Sequence, residues 1–596
     1  MHHHSIPFLL VAALLTHASV NANAQAPIPP EVSFKWVVLN ENRIFLTKEN
    51  QNDFQREFCR ARYCAHYNRS IGVAAYCEGY KEKGSNSISC PKGRAKLSDM
   101  YESWGVFPRS IKTAWDEREA RYRTAEGYVS SKRRKIRAYR NNPSDVECRW
   151  KLEGEAPSEF LPGSCGNQEL DVEYGKDYVL HVEVTDKAAL KTIYSRPVRV
   201  DDIVILALGD SYSSGEGNPH WLANFEGTGQ TYGNQLDQWW DRRCHRSLLN
   251  FSSQAVAVAS IQSRHLVGPR KISFTYLNYA CSGGEIKKSK IAAREGDPPY
   301  YSGGLLDKYE GRETIAQLSF LGKRFGVKLP EAAQPEGLLP QIEQAKRDLC
   351  VEQGASECQA YRKPEFIVLT IGGNDVGFGP IIAELIDGCG ETKGNCATEL
   401  VDKRFQELRE NFQELANALR PLQNEKTRIL LMEYPDLTSA GKDRRCDDEN
   451  FRRVLGPKYL SSIGYWLKVR LASLGYKVTA EEAHWAYTRV LRRLNALLRD
   501  VVKENKGWEL LGGIEAQSLG RGWCARPSWF VTFDESKAKQ GVLPKKGEMN
   551  EYFTTGVAHP NLFGHDYIAW RLRCRFAQDE LVPKHMVYSE GKGSCQ

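Results

Sequence analysis

The stretch DIVILALGDSYSSGEG, residues 202–217, decides the fold. Ile203 to Leu208 form an unbroken apolar run that ends directly in Gly209-Asp210. A strand buried on both faces has this signature, because neither side meets water. The run recurs as FIVLTIGGND at 366–375 and as RILLMEYPD at 428–436. Between those two, VDKRFQELRENFQELANALRPL (401–422) places apolar residues three and four apart, the spacing of an amphipathic helix. EEAHWAYTRVLRRLNALLRDVVKEN (481–505) repeats that pattern. Strands alternating with helices predict right-handed βαβ units, and hence an α/β fold with a doubly wound parallel sheet over 201–596. In such a sheet the chemistry gathers at the carboxyl ends of the strands. Ser211 and Asn374 both stand there.

Toward the N-terminus the pattern changes to alternation. KIRAYR, ECRWKLEG, LDVEYG, YVLHVEVTD and SRPVRV, between 135 and 200, read as short strands separated by turns. They predict a small β-sandwich of immunoglobulin-like or PKD-like type over 129–200, with Cys148 and Cys165 placed to staple it. Residues 25–128 begin Pro-rich, with APIPPE, and carry Cys59, Cys64, Cys77 and Cys90. They read as a disulfide-stapled region without a recognisable fold. Residues 1–24 combine an apolar segment from Ile6 to Leu15 with Ala22-Asn23-Ala24, a small-x-small cleavage pattern. They are expected to be a signal peptide, although histidines replace the usual Lys or Arg. The mature chain is then expected to be secreted.

The bulk composition narrows the function. The chain has 596 residues, of which 41% are hydrophobic and 26% charged, which suits several globular domains. A net charge of +8 over this length is mild. The basic run SKRRKIRAYR at 131–140 has no nucleic-acid motif beside it, so no nucleic-acid partner is expected. Sixteen cysteines, six before residue 200 and ten after, allow pairing within each part. The absence of CxxC and HExxH argues against a metal site, and no cofactor is expected.

A serine at a strand-to-helix turn is by itself weak evidence, since most such serines are caps. Three further segments change its weight: YACSGGEI with Gly283, TIGGNDVGF with Asn374, and GVAHPNLFGH with His559. With GDSYSSGEG they resemble, in order, the four sequence blocks of the SGNH (GDSL-like) hydrolases, closest in look to secreted actinobacterial-type lipases and esterases. The resemblance covers roughly 201–575. LLPQIEQA (338–345) and EYPDL (433–437) are similar to family positions as well.

This resemblance implies a serine esterase or lipase. Ser211 is then the nucleophile and His559 the base. The Ser211 N–H, the Gly283 N–H and the Asn374 amide would form the oxyanion hole, each donor contributing about 3 kcal/mol to the transition state. The family usually carries Asp three residues before the histidine; here Gly556 stands at that position. The expectation is therefore a Ser–His dyad oriented by the Gly556 main-chain carbonyl, with Asp534 or Glu551 as alternative carboxylates. RCHRS followed by ACSGG resembles a family disulfide, Cys244–Cys281. The other bridges expected in this part are Cys350–Cys358, Cys389–Cys396, Cys446–Cys524 and Cys574–Cys595, none of them fixed by spacing.

The remaining residues have blander readings. Asp210, Asp375, His245 and His565 are expected in structural roles. Trp239-Trp240 divides between core packing and an acyl-pocket or lipid-facing role, and 286–340 reads as an insertion, a candidate lid. Asn68 and Asn250 head glycosylation sequons. The expected partner is an ester substrate, a lipid or an acylated carbohydrate, with peripheral contact to a lipid surface or polymer and a monomeric state. The alternatives are a carbohydrate or peptidoglycan O-acetylesterase and a catalytically weak binding or adhesion protein.

Overall fold

The computed structural model describes residues 34–55, 111–123, 127–140, 147–155, 159–219, 239–288, 304–308, 338–352, 358–378, 381, 398–447, 479–532, 536, 542–543, 551–552, 556–588, 590 and 595. Its strands begin with β1 (Phe34–Val38), the two-residue pair β2 (Trp115–Asp116) and β3 (Arg121–Tyr122), β4 (Arg133–Arg140) and β5 (Glu147–Glu153). There follow β6 (Leu161–Gly163), β7 (Gln168–Glu173), β8 (Asp177–Thr185) and the long β9 (Lys191–Gly209).

Two antiparallel sheets enclose a first core. One is β1-β4-β7; the other runs β6-β5-β8 onto the first half of β9. Alternation sets the faces: Phe34, Trp36 and Val38 point inward, as do Trp150, Leu180 and Val182. Phe34 meets Trp150 edge to face at 5.5 Å, and Cys148–Cys165 is formed. The first strand of this unit comes from residues 34–38, ahead of the stretch whose alternation was legible in the sequence.

β9 does not stop where the sandwich ends. Lys191–Arg199 pairs antiparallel with β8, and Arg199–Ala207 pairs parallel with β10 (Arg270–Asn278). Before β10 come α1 (Ser211–Ser214) and α2 (Phe251–Gln262); after it come α3 (Gln341–Leu349) and β11 (Phe366–Thr370). Next are α4 (Thr398–Leu419), β12 (Arg428–Met432), α5 (Arg492–Glu504), β13 (Trp508–Leu511) and α6 (Leu562–Gln578). The parallel strands lie β10-β9-β11-β12-β13, which in chain order is 2-1-3-4-5, a doubly wound arrangement. Helix α2 packs on β10 and α6, whereas α5 packs on α4, β12 and β13. Right-handed crossovers running in opposite directions from β9 put these two helix pairs on opposite faces. The chain is thus mixed α/β with a large, mostly parallel sheet.

β10 is the outer strand of that sheet, and its free edge is sealed by the N-terminal region. Phe274 exchanges backbone hydrogen bonds with the 41–43 segment. The Tyr128 hydroxyl donates to the Tyr276 carbonyl at 2.7 Å and accepts the Tyr276 N–H at 3.0 Å. The Asn278 N–H donates to the Tyr122 hydroxyl at 2.7 Å. An open strand edge invites pairing with other chains, so such caps both satisfy backbone groups and block association.

The junction also carries a buried charge cluster. Asp202 meets Arg134 at 2.7 Å, Arg43 at 3.7 Å and Arg362. Burial pushes its carboxyl up, but the three guanidiniums win and hold it well below the usual range.

Candidate active site

Ser211 opens α1, immediately after β9 enters its turn at Gly209. Asp210 is the N-cap: its carboxylate accepts the Tyr212 N–H at 3.0 Å. It also accepts from the hydroxyls of Thr370, at 2.8 Å, and Tyr434. Burial raises Asp210 to about 6 despite these donors. Its partners are all scaffold groups, as expected of a structural carboxylate. Gln341 clamps the preceding peptide, accepting the Gly209 N–H at 2.7 Å and donating to its carbonyl at 2.8 Å.

His559 approaches from a turn near the C-terminus. Its Nε2 lies 2.8 Å from the Ser211 Oγ. The turn is pinned to the 528–531 segment by Val531 N–H to the His559 carbonyl, 2.8 Å, and Asn561 N–H to the Trp529 carbonyl, 2.7 Å. Ala558 takes a left-handed φ of 66°, a conformation that costs a non-glycine residue about 1–2 kcal/mol. The pinned loop sustains it and so aims the next residue, His559. Asn561 then caps α6, accepting N–H groups from Phe563 and Gly564.

A second carbonyl joins the expected one beside the imidazole. Nδ1 of His559 lies 3.1 Å from the Val557 oxygen. The Gly556 carbonyl accepts the His559 backbone N–H at 3.2 Å, while still favouring a proton on the ring. The turn curls tightly enough to bring the carbonyl two residues back under the imidazole, beside the one three residues back. This partnering assigns the proton to Nδ1 and leaves the Nε2 lone pair toward the hydroxyl. Burial lowers the His559 pKa, and the nearby Glu216 charge and the two carbonyls partly oppose that. Asp534 and the side chain of Glu551 lie outside the described residues.

The third and fourth groups arrive from neighbouring strand ends. After β10, the Cys281 N–H donates to the Gly209 carbonyl at 3.0 Å, and Cys244–Cys281 ties the loop down. Gly283 has φ 76°, a backbone shape that glycine adopts without strain. The Asn374 amide, after β11, donates to the Gly284 carbonyl at 3.0 Å. Ser211, the 283–284 loop and Asn374 therefore meet where β9, β10 and β11 end, at the point where strand order reverses. Beside Asn374, burial raises Asp375 to about 7, and one of its oxygens accepts the Ile286 N–H at 2.9 Å.

Trp239 and Trp240 are both buried: Trp239 stacks on His245 at 4.6 Å, and Trp240 donates to the Thr113 hydroxyl at 3.0 Å. Neither presents a surface to lipid. His565 is packed against Phe251. Asn250 is fully buried as the cap of α2, so its sequon is closed in the folded chain. Cys350–Cys358, Cys446–Cys524 and Cys574–Cys595 are formed. Cys389–Cys396, the four early cysteines, Asn68, the signal segment and most of the candidate lid lie outside the described residues. Sequence reading gave no role to Glu216, Gln341 or Val557. Glu216 and Gln341 stand inside quoted motifs, but a main-chain acceptor such as Val557 leaves no side-chain signal.

No protein-family model matches the chain, and no curated protein sequence matches it. Among solved structures, it is similar to an extracellular lipase from Streptomyces rimosus at 13% identity, over 61% of this chain and 94% of that one, with a TM-score of 0.31. It is similar to phospholipase A1 from Streptomyces albidoflavus at 15% identity, over 65% and 99%, with a TM-score of 0.29. A carbohydrate acetylesterase from Xanthomonas citri matches at 10% identity, over 63% and 72%, with a TM-score of 0.15. Likenesses this weak transfer no chemistry, and the reading of the site rests on its own geometry.

Proposed function

We propose that the chain is a secreted serine esterase of the SGNH type, hydrolysing carboxylic esters through an acyl-enzyme. The observation that carries this reading is the 2.8 Å approach of His559 Nε2 to Ser211 Oγ at a strand end. His559 takes the serine proton as Oγ attacks the ester carbonyl carbon. Negative charge moves to the carbonyl oxygen, which the Ser211 N–H, the Gly283 N–H and the Asn374 amide receive. The C–O bond to the alcohol breaks, and His559 protonates the departing oxygen. Water, deprotonated by His559, then attacks the acyl carbon; the bond to Ser211 Oγ breaks, Oγ takes the proton back from His559, and the acid leaves. The Val557 carbonyl, through Nδ1–H, holds the imidazole in the required tautomer. The five disulfides among the described residues support export to an oxidising compartment.

The test is a series of p-nitrophenyl esters from acetate to palmitate with the purified full chain. Turnover is expected, and its optimum sorts the substrate class: acetate for a deacetylase acting on carbohydrate, longer chains for a lipase. Absence of turnover across the series contradicts the proposal.

The same assay carries a pH prediction. Burial lowers the His559 pKa, so the base stays neutral below the ordinary histidine range. The acid limb of kcat/KM, where protonation removes the base, is expected to have its midpoint below about 6.5. A midpoint above that value would place a different group in the role.

A further inference from the structure

One buried ion pair beside the site has no part in the mechanism above. Glu216 lies on the same turn as the nucleophile; its N–H donates to the Ser211 carbonyl at 3.1 Å. Its side chain is fully buried, and its carboxylate meets His245 Nδ1 at 2.7 Å. Ser282, next to Gly283, also favours the charged form of that carboxylate. His245 is itself firmly held. It adjoins the Cys244–Cys281 bridge, stacks on Trp239 and takes a left-handed φ of 47°. This turn lies directly on the histidine loop. A Cβ on Gly217 would stand 2.9 Å from the Gly556 oxygen, and the Asn218 amide donates to the Pro560 carbonyl at 2.7 Å. A buried carboxylate is thus anchored between nucleophile turn, oxyanion loop and histidine loop, in a site whose histidine has a main-chain acceptor where the family carries a carboxylate.

We propose that Glu216 is a positioning residue whose buried negative charge stabilises the His559 imidazolium formed when Ser211 gives up its proton, and that His245 keeps that carboxylate ionised. This rests on the dyad reading of the site. The charges that reach His559 are those of Glu216 and His245, which act in opposite senses; Tyr212 adds a ring 5.7 Å away. Burial works against ionisation of Glu216, but His245 prevails and holds it at about 2, so the carboxylate keeps its charge throughout the working range.

Loss of either partner is expected to lower the His559 midpoint. Glu216→Gln removes the anion while keeping the shape, so the His559 titration midpoint falls by roughly half a unit or more, and kcat drops on the order of tenfold. His245→Gln removes the partner that keeps Glu216 ionised against burial, so the carboxylate takes a proton and the midpoint falls here as well. Glu216→Asp, which keeps the charge, stays nearer the wild type. The readout is the His559 resonance in a 15N-histidine NMR titration of the full chain, assigned by its loss in His559→Gln, alongside p-nitrophenyl butyrate kinetics. A midpoint that Glu216→Gln leaves unchanged or raises overturns the proposal and reduces the pair to a structural clasp. If Glu216→Gln fails to fold, His245→Gln decides: a fall upholds the proposal, and no shift or a rise overturns it. A lowered midpoint in a chain that hydrolyses no ester would uphold the electrostatic coupling and defeat the esterase reading instead.

Discussion

Replacing Ser211 with alanine is expected to lower kcat on an activated ester by at least about 10⁴-fold while leaving the fold intact. The two halves of this expectation have separate grounds. Loss of turnover follows because the hydroxyl is the only group of this residue that can form the acyl bond. Retention of the fold follows because the turn is held by other atoms. Asp210 caps Tyr212 whatever stands at 211, and the bonds from Ser214, Gly215 and Glu216 go to the main-chain carbonyl of Ser211. Alanine supplies the same carbonyl. His559→Ala should cost a comparable factor, and the double variant little more than either single one, because the two side chains act as one unit. Turnover of p-nitrophenyl butyrate, read beside the thermal melt, checks both halves.

A chain beginning at residue 201 is expected not to fold into a soluble, active enzyme. The N-terminal residues do not form a detachable module. Phe45, Phe54, Trp115, Tyr122 and Tyr128 belong to the same core as β9 and β10. Truncation uncovers that core and opens the β10 edge at Phe274, Tyr276 and Asn278. It also takes Arg43 and Arg134 away from Asp202. Breaking a buried ion pair from one side alone typically costs about 3–5 kcal/mol. Together these losses approach the whole stability of a domain, about 5–15 kcal/mol. A point variant isolates one part. Tyr128→Phe keeps the ring but strips the hydroxyl from two buried backbone groups of Tyr276, at about 1–3 kcal/mol for each group left unsatisfied. Denaturant melts of the full chain and of Tyr128→Phe, with solubility of the truncated chain, measure these effects. A truncated chain that melts cooperatively and turns over ester would show the N-terminal region to be dispensable.

The two predictions draw on features of very different legibility. The apolar runs at 203–208 and 366–369 are plain in the sequence because a strand buried on both faces favours unbroken apolar residues. The helices at 398–419 and 492–504 are plain because each has one wet face. Helix α2, FSSQAVAVASIQ, is not, since every residue in it is buried and no polar stripe marks the period. Ser211, Gly283, Asn374 and His559 stand out through their motifs, and the fold brings them to adjoining strand ends. The Val557 carbonyl is invisible because any residue there offers the same oxygen; only the turn decides which carbonyl faces the ring. Glu216 stands within the serine motif, yet its value depends on His245, 29 positions away. The sealing of β10 by Tyr122 and Tyr128 is equally hidden, for a buried tyrosine hydroxyl carries no sequence pattern that names its backbone partner.

The most direct test of the central claim is covalent labelling of the full chain with a fluorophosphonate. In this reaction the serine Oγ forms a bond to phosphorus, fluoride leaves, and the proton passes to the base. The account predicts one adduct, mapped by peptide mass spectrometry to Ser211, formed far more slowly in His559→Ala and absent in Ser211→Ala. An adduct on another residue, or undiminished ester turnover after complete labelling of Ser211, would contradict it.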